Sequence, residues 1–435
     1  MVRRQRRALS GAALLVAAAL AAPVAAQPLP ERGEQAHEGV ASCATSVCHG
    51  KVAPAEDSTV WLNEYRVWLR QDYHSRAYRT LQTEQSKSIA RKLGLPAAHT
   101  AKICLDCHAD NVPADARGAK FQISDGVGCE GCHGGAGQWL ESHAEAGTSH
   151  EDNIAKGMYP TEQPAARAQL CLSCHLGTAE KFASHDIMGA GHPRLAFELE
   201  TFTVNQPAHY TVDQDYRERK VTVESTNMWL AGLVYGGEQS LALLQGPRFQ
   251  TAGLIPELSF YQCHACHHPM DELRWQPEGG PGALPPGTVR LNDGNLLVLI
   301  AVLESLDAAS AATLESGLGG LHSASLVSRD AVASAAAELM GELQRLEGSL
   351  TERRYDADTL ARLRMQLLAL AEGGRFRHFT AAEQLFLAVE TLTIELGDEK
   401  RLKSLLDALF ESVGDENRFI PEQFAVDAGR LGDAL

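Results

Sequence analysis

The chain has 435 residues, a formal net charge of −16, and 10 cysteines beside 17 histidines. A hydrophobic fraction of 44% and a charged fraction of 22% belong to a folded chain of two or three domains and exclude wholesale disorder. The acidic balance excludes nucleic acid as a partner, because phosphate binding needs a basic footprint.

Residues 1–26 carry MVRRQRR, an Ala/Leu-rich apolar stretch and small residues before Gln27. That pattern is a secretory signal peptide cleaved after Ala26, with an uncleaved membrane anchor as the alternative. Cleavage removes Arg3, Arg4, Arg6 and Arg7 and no acid, so the charge of −16 becomes −20. The expected location is the periplasm, with membrane association only through a partner or an uncleaved signal. In that compartment ten cysteines would ordinarily be read as disulfides.

The cysteines instead fall into five pairs, each closed by a histidine. The first is Cys43-Ala-Thr-Ser-Val-Cys48-His49, with a four-residue spacer. The others are Cys104-Leu-Asp-Cys107-His108, Cys129-Glu-Gly-Cys132-His133, Cys171-Leu-Ser-Cys174-His175 and Cys263-His-Ala-Cys266-His267. C-x-x-C-H is the attachment signature of c-type haem: two thiols add to the porphyrin vinyl groups and the histidine becomes the proximal iron ligand. At this histidine content, five pairs each followed by histidine would arise by chance about once in ten million. Zinc ribbons use such pairs two at a time and need no histidine after each. The cysteine pattern therefore predicts five covalently bound c-type haems, with no thiol left over. The motifs run from residue 43 to 267, too little chain to bury each porphyrin in a core of its own. Stacked haems among short helices and loops are expected, in a domain that needs its cofactors to fold.

Twelve histidines remain as candidates for the sixth coordination position. A second imidazole makes a low-spin, electron-transferring haem, and an open position makes a reactive one. His74, in the apparent amphipathic helix WLRQDYHSRAY, and His143, in GQWLESH, are taken as distal ligands. So are His185 and His192, which flank a stretch where Gly189, Gly191 and Pro193 allow close backbone approach. His99 and His209 are not assigned. His264 and His268 adjoin the fifth motif as outer-shell or surface residues, and His37, His150, His322 and His378 are read as solvated.

Residues 276–290 are Pro/Gly-rich and read as a linker between a haem domain over 27–275 and a cysteine-free segment over 291–435. Leu360, Leu363, Leu367 and Leu370 recur at helical spacing, as do Leu385, Val389, Leu392 and Leu396. Thr380-Ala-Ala-Glu383 is an expected capping box, and Gly317-Leu-Gly-Gly320 and Gly373-Gly374 are expected breaks. The fold class is mainly α: a multihaem domain followed by an antiparallel bundle of five or six helices.

GVGCEGCHGGAGQWLESHAEAG, CLDCHAD, WLRQDYHSRAY and LCLSCHLGT together resemble the cytochrome c-554 family over residues 43–180. HDIMGAGHPRLAFELETF through YQCHACHHPM is similar to larger relatives with additional haems. The resemblance implies that His143 ligates the first haem and His74 the third, and that the haem on His108 is five-coordinate and open. The longer first spacer, the fifth motif and the acidic charge depart from the family pattern. Two functions follow as expectations. One is a periplasmic carrier of single electrons between protein redox partners, which an acidic chain would meet through a basic docking surface. The other is an oxidoreductase acting on hydroxylamine, nitrite or nitric oxide at the open haem of His108. A role as subunit of a larger complex, with 291–435 as its interaction module, is a third.

Overall fold

The structure, a computed structural model, describes residues 28–56, 60–251, 253, 255–267, 284–285 and 288–435. The expected signal peptide, most of the expected linker and His268 lie outside the described residues. Among the described residues the chain is helical, with two isolated β-bridges, His37 to Arg117 and Tyr261 to Leu291. The helices of eight residues or more are α1 (Glu64–Gln71), α2 (Glu84–Lys92), α3 (Pro164–His175), α4 (Ser225–Gln245), α5 (Gly294–Leu306), α6 (Ala308–Ser325), α7 (Arg329–Thr351), α8 (Ala357–Glu372), α9 (Phe379–Glu395), α10 (Glu399–Ser412) and α11 (Pro421–Asp433).

The two halves are built on different principles. Around the first four motifs, short helices alternate with 3-10 turns, and the apolar clusters are small: Leu81, Ala90, Ala98, Leu105 and Ala109 form one, and Ala168, Leu172 and Leu199 form another with Met228, Ala231 and Tyr235 of α4. The C-terminal half has one large core. Its central helices α4 and α5 are apolar on all sides, as a helix wrapped by others must be. Helix α4 packs on α7, α5 and α9, and α5 packs on α6, α8 and α9. Leu360, Leu363 and Leu367 of α8 and Leu385, Val389 and Leu392 of α9 are buried, as their spacing predicts.

Four expectations about this half are corrected. The bundle contains seven helices after residue 291 rather than five or six, and α4, Phe249 and Phe260, which precede the expected linker, belong to the same core. Packing therefore crosses the boundary placed at 276–290. Gly317 to Gly320 lie inside α6; a Cβ on Gly317 would sit 2.8 Å from Leu339 Cδ1, so the glycine permits close approach of α7 and does not end a helix. Gly374, at φ 80°, does follow the end of α8. Thr380 and Glu383 form no capping box: the Thr380 hydroxyl reaches the side-chain oxygens of Gln262 and Asn292, and Glu383 accepts from Arg194. Both side chains are taken up by contacts to other segments.

Two buried polar clusters tie distant segments together. Glu130, in the spacer of the third motif, is 2% exposed and accepts from the backbone N–H groups of Glu38, Gly39 and Ala136 at 2.7, 2.7 and 2.8 Å. In the bundle, Asp293 accepts from Arg290 Nε at 2.9 Å and from His322 Nε2 at 2.9 Å. His322, expected in solvent, is fully buried there because this carboxylate compensates the lost hydration. Burial pushes the Asp293 carboxyl up, but the His322 hydrogen bond and the Arg290 charge outweigh it and hold it well below the usual range.

Glu130→Ala leaves buried N–H groups without an acceptor and is expected to lower the unfolding free energy by about 1.5–3 kcal/mol, read by denaturant titration of the haem-loaded protein. Asp293→Ala strands the buried Arg290 guanidinium and leaves His322 Nε2 without its acceptor, and is expected to cost about 3–5 kcal/mol, read as a lower thermal midpoint by circular dichroism. Because the Asp293 carboxyl is depressed on folding, its contribution is complete above about pH 4 and falls away with further acidification. The gap between wild type and variant should close in that range.

Candidate haem centres

None of the ten cysteines is paired in a disulfide. Those of the first four motifs line one continuous cavity of about 2340 Å³. That exceeds the 300–1,000 Å³ or so of a site for one small ligand. The motifs approach one another inside it: the Cys43 side chain lies close to that of Cys129, and the Cys107 side chain close to that of Cys174. The fifth motif, on a 3-10 turn over Cys263–Ala265, stands against the bundle, where His264 lies between the rings of Phe379 and Phe419.

Each motif histidine faces one histidine from outside the motifs. Ring centroids are 6.1 Å apart for His49 and His143, 6.2 Å for His108 and His192, and 6.3 Å for His133 and His209. They are 6.2 Å apart for His175 and His74 and 6.1 Å for His267 and His185. An imidazole nitrogen binds a transition metal at about 2.0–2.1 Å, so two rings on opposite sides of one metal have centroids roughly 6.3 Å apart.

The outer nitrogens are oriented by the chain. His49 donates from Nδ1 to Glu64 Oε2 at 2.9 Å, and His74 to Asp72 Oδ1 at 2.9 Å. His108, His143 and His192 donate from Nδ1 to the carbonyls of Ala77, Trp139 and Pro193 at 3.1, 3.2 and 2.7 Å. A proton fixed on Nδ1 leaves Nε2 as the free donor, the arrangement seen at metal-bound histidines. Burial pushes His133 down to about 3 and His175 down to about 4, so both are neutral imidazoles, the ligating form, at neutral pH.

The donor set fits a macrocycle better than a bare metal. Among the described residues no three His, Cys, Asp or Glu side chains converge on a point that could hold an ion. Pairs of imidazoles leave the equatorial positions to a planar ligand, and the cysteine pairs beside them suit thioether attachment. The buried indole N–H of Trp139, on the cavity wall, finds no acceptor within the protein, consistent with a bound group that supplies one.

Several sequence expectations are revised by this geometry. His192 lies opposite His108, where the resemblance implies an open position. His74 faces His175 of the fourth motif instead of the third, and His209 takes the place across from His133. His74 is not helical in the expected way: α1 stops at Gln71, Asp72 accepts from the His74 backbone N–H, and a 3-10 turn follows. His143 likewise sits on a 3-10 turn. His37, expected in solvent, is 1% exposed and donates to Asp110 at 2.7 Å and to the Pro30 carbonyl at 3.2 Å, so neither nitrogen is available. His150, also expected in solvent, is hydrogen-bonded to Glu162. His99 stacks edge-on to Tyr78 and faces no motif. The signal that would have found His209 is a count: five proximal histidines need five partners, and only four were assigned.

The bundle reaches the loop that carries His192. Arg194 donates to Glu383 of α9 at 2.8 Å and to Glu416 at 3.0 Å, and lies over the Phe379 ring. From the other side, Lys92 and Gln85 of α2 donate to the carbonyls of Ala190 and Gly191.

No described helix is long and apolar enough to cross a membrane. No curated protein and no solved structure matches the chain. The sequence model of the family described as cytochrome c554 and c-prime matches residues 37–134, which contain the first three motifs. Over those residues the chain is similar to the cytochrome c554 family, a family of covalently bound c-type haem.

Proposed function

We propose that the chain is a periplasmic pentahaem cytochrome that relays single electrons between protein partners, each iron held between two histidines. The observation that carries this reading is the pairing: five motif histidines, five non-motif histidines, and one centroid spacing for all of them. Bound haem supplies one-electron iron redox chemistry. The protein's share is to fill the axial positions, fix five of the imidazoles by their outer nitrogens, and bring the motifs close. The nearness of the first motif to the third, and of the second to the fourth, supports short paths between neighbouring groups. The net charge of −16, or −20 without residues 1–26, favours a partner with a basic docking surface.

The alternative reading, an oxidoreductase acting on hydroxylamine, nitrite or nitric oxide, needs an open position. With His192 across from His108, nothing in the geometry favours it.

The test is spectroscopic. The haem-loaded protein is expected to contain five haems per chain and, by electron paramagnetic resonance, five low-spin ferric centres with no high-spin signal. His192→Ala is expected to convert one of the five to a high-spin form that binds cyanide or nitric oxide. A native high-spin centre, or a His192→Ala spectrum identical to wild type, would overturn the assignment of His192.

A further inference from the structure

The five histidine pairs differ in two respects that bear on the iron. One is the angle between the rings: 87°, 88° and 89° for the pairs of His175, His108 and His133, but 13° for His49 with His143 and 36° for His267 with His185. Crossed imidazole planes leave the two iron d orbitals that interact with them nearly equal in energy. Aligned planes split those orbitals. A low-spin ferric ion has one hole in this set and places it in the upper orbital, whereas the ferrous ion fills the set and gains nothing. Alignment therefore favours the oxidised iron.

The other difference is the partner of the outer nitrogen. A carboxylate draws the Nδ1 proton more strongly than a carbonyl, makes the ring a better donor and sets a negative charge nearby; each effect favours ferric iron. Glu64 does this for His49. The structure also holds Glu64 in place at some cost: its Oε1 accepts from the backbone N–H of Leu62 at 2.9 Å, and Leu62, at φ 58°, is the one non-glycine residue with a left-handed backbone among those described. The backbone N–H of Tyr65 in turn donates to the His49 carbonyl. Asp72 does the same for His74, but it also accepts from the His74 backbone N–H and from Gln206, and its pair of rings is crossed.

We propose that the haem at the first motif has the lowest reduction potential of the five, and that Glu64, acting through His49, is the positioning residue that sets it. This rests on the reading of His49 and His143 as ligands of one iron. Both favourable terms coincide only at this motif. An electron entering the chain of haems would reside there least and would leave from there with the greatest driving force.

The experiment is a potentiometric titration of the haem-loaded protein followed by electron paramagnetic resonance. Aligned pairs give a rhombic low-spin spectrum and crossed pairs a single strongly anisotropic low-field feature. The last component to be reduced is expected to be rhombic. If it is the anisotropic one, the proposal fails in the wild-type protein, without recourse to a variant. Glu64→Gln keeps a hydrogen-bond acceptor and removes the charge, so it is expected to raise the potential of that rhombic component and leave the other four in place. An unchanged lowest potential would overturn the role of Glu64. Asp72→Asn is expected to raise the potential of an anisotropic component instead. The underlying ligand reading fails separately, through a high-spin signal in the untreated wild type.

Discussion

Two imidazole nitrogens on opposite sides of one metal fix their rings at a single separation, and in this protein five motif histidines each meet one histidine from outside the motifs at that separation. Each pair closes a loop between remote segments: residue 49 with 143, 74 with 175, 108 with 192, 133 with 209, and 185 with 267. These loops interleave, so no motif region can be removed without opening the partner of another. A half with so small an apolar cluster of its own would otherwise have little to order it. On the reading proposed above, the cofactors would take the place of a core, and the short helices and 3-10 turns would be what remains when the backbone is arranged for ligand placement.

Hydrogen bonding does the finer positioning. Three of the paired rings are oriented by backbone carbonyls, those of His143 and His192 by carbonyls within four residues, and two by carboxylates, so a hydrogen bond to the outer nitrogen sets the tautomer independently of the facing ring. Glu130 plays the same part for the chain itself, holding the segment after His37 against the third motif with three backbone donors.

Legibility in the sequence followed the range of the interaction. The attachment motifs are local, so the sequence alone carries their pattern. The leucine spacing of α8 and α9 is also local and identifies their buried faces. The pairing of histidines depends on contacts across tens of residues, which the sequence does not display: His192 faces His108, where an open position is expected, His74 faces the fourth motif and not the third, and His209 stands across from His133. His37 and His322 looked solvated because a lone histidine carries no mark of the aspartate that will meet it. The Thr380–Glu383 pattern has the right residues for a cap, but Gln262, Asn292 and Arg194 compete for the same side chains and win. The domain boundary was misplaced because a Pro/Gly-rich stretch signals a loop and says nothing of whether packing continues across it.

The salt bridges of Arg194 lie two residues from His192. On the ligation proposed above, a colourless bundle of helices would thereby be wired to an iron-bound ring whose coordination is visible as absorbance. Any event that loosens α9 or the turn at Glu416 would then pull on a coloured group, so the state of the bundle could be followed there without a label. The same linkage would give residues 291–435 a physical hold on the haem of His108: whatever docks on or distorts that surface would alter how firmly the iron's sixth position is kept closed.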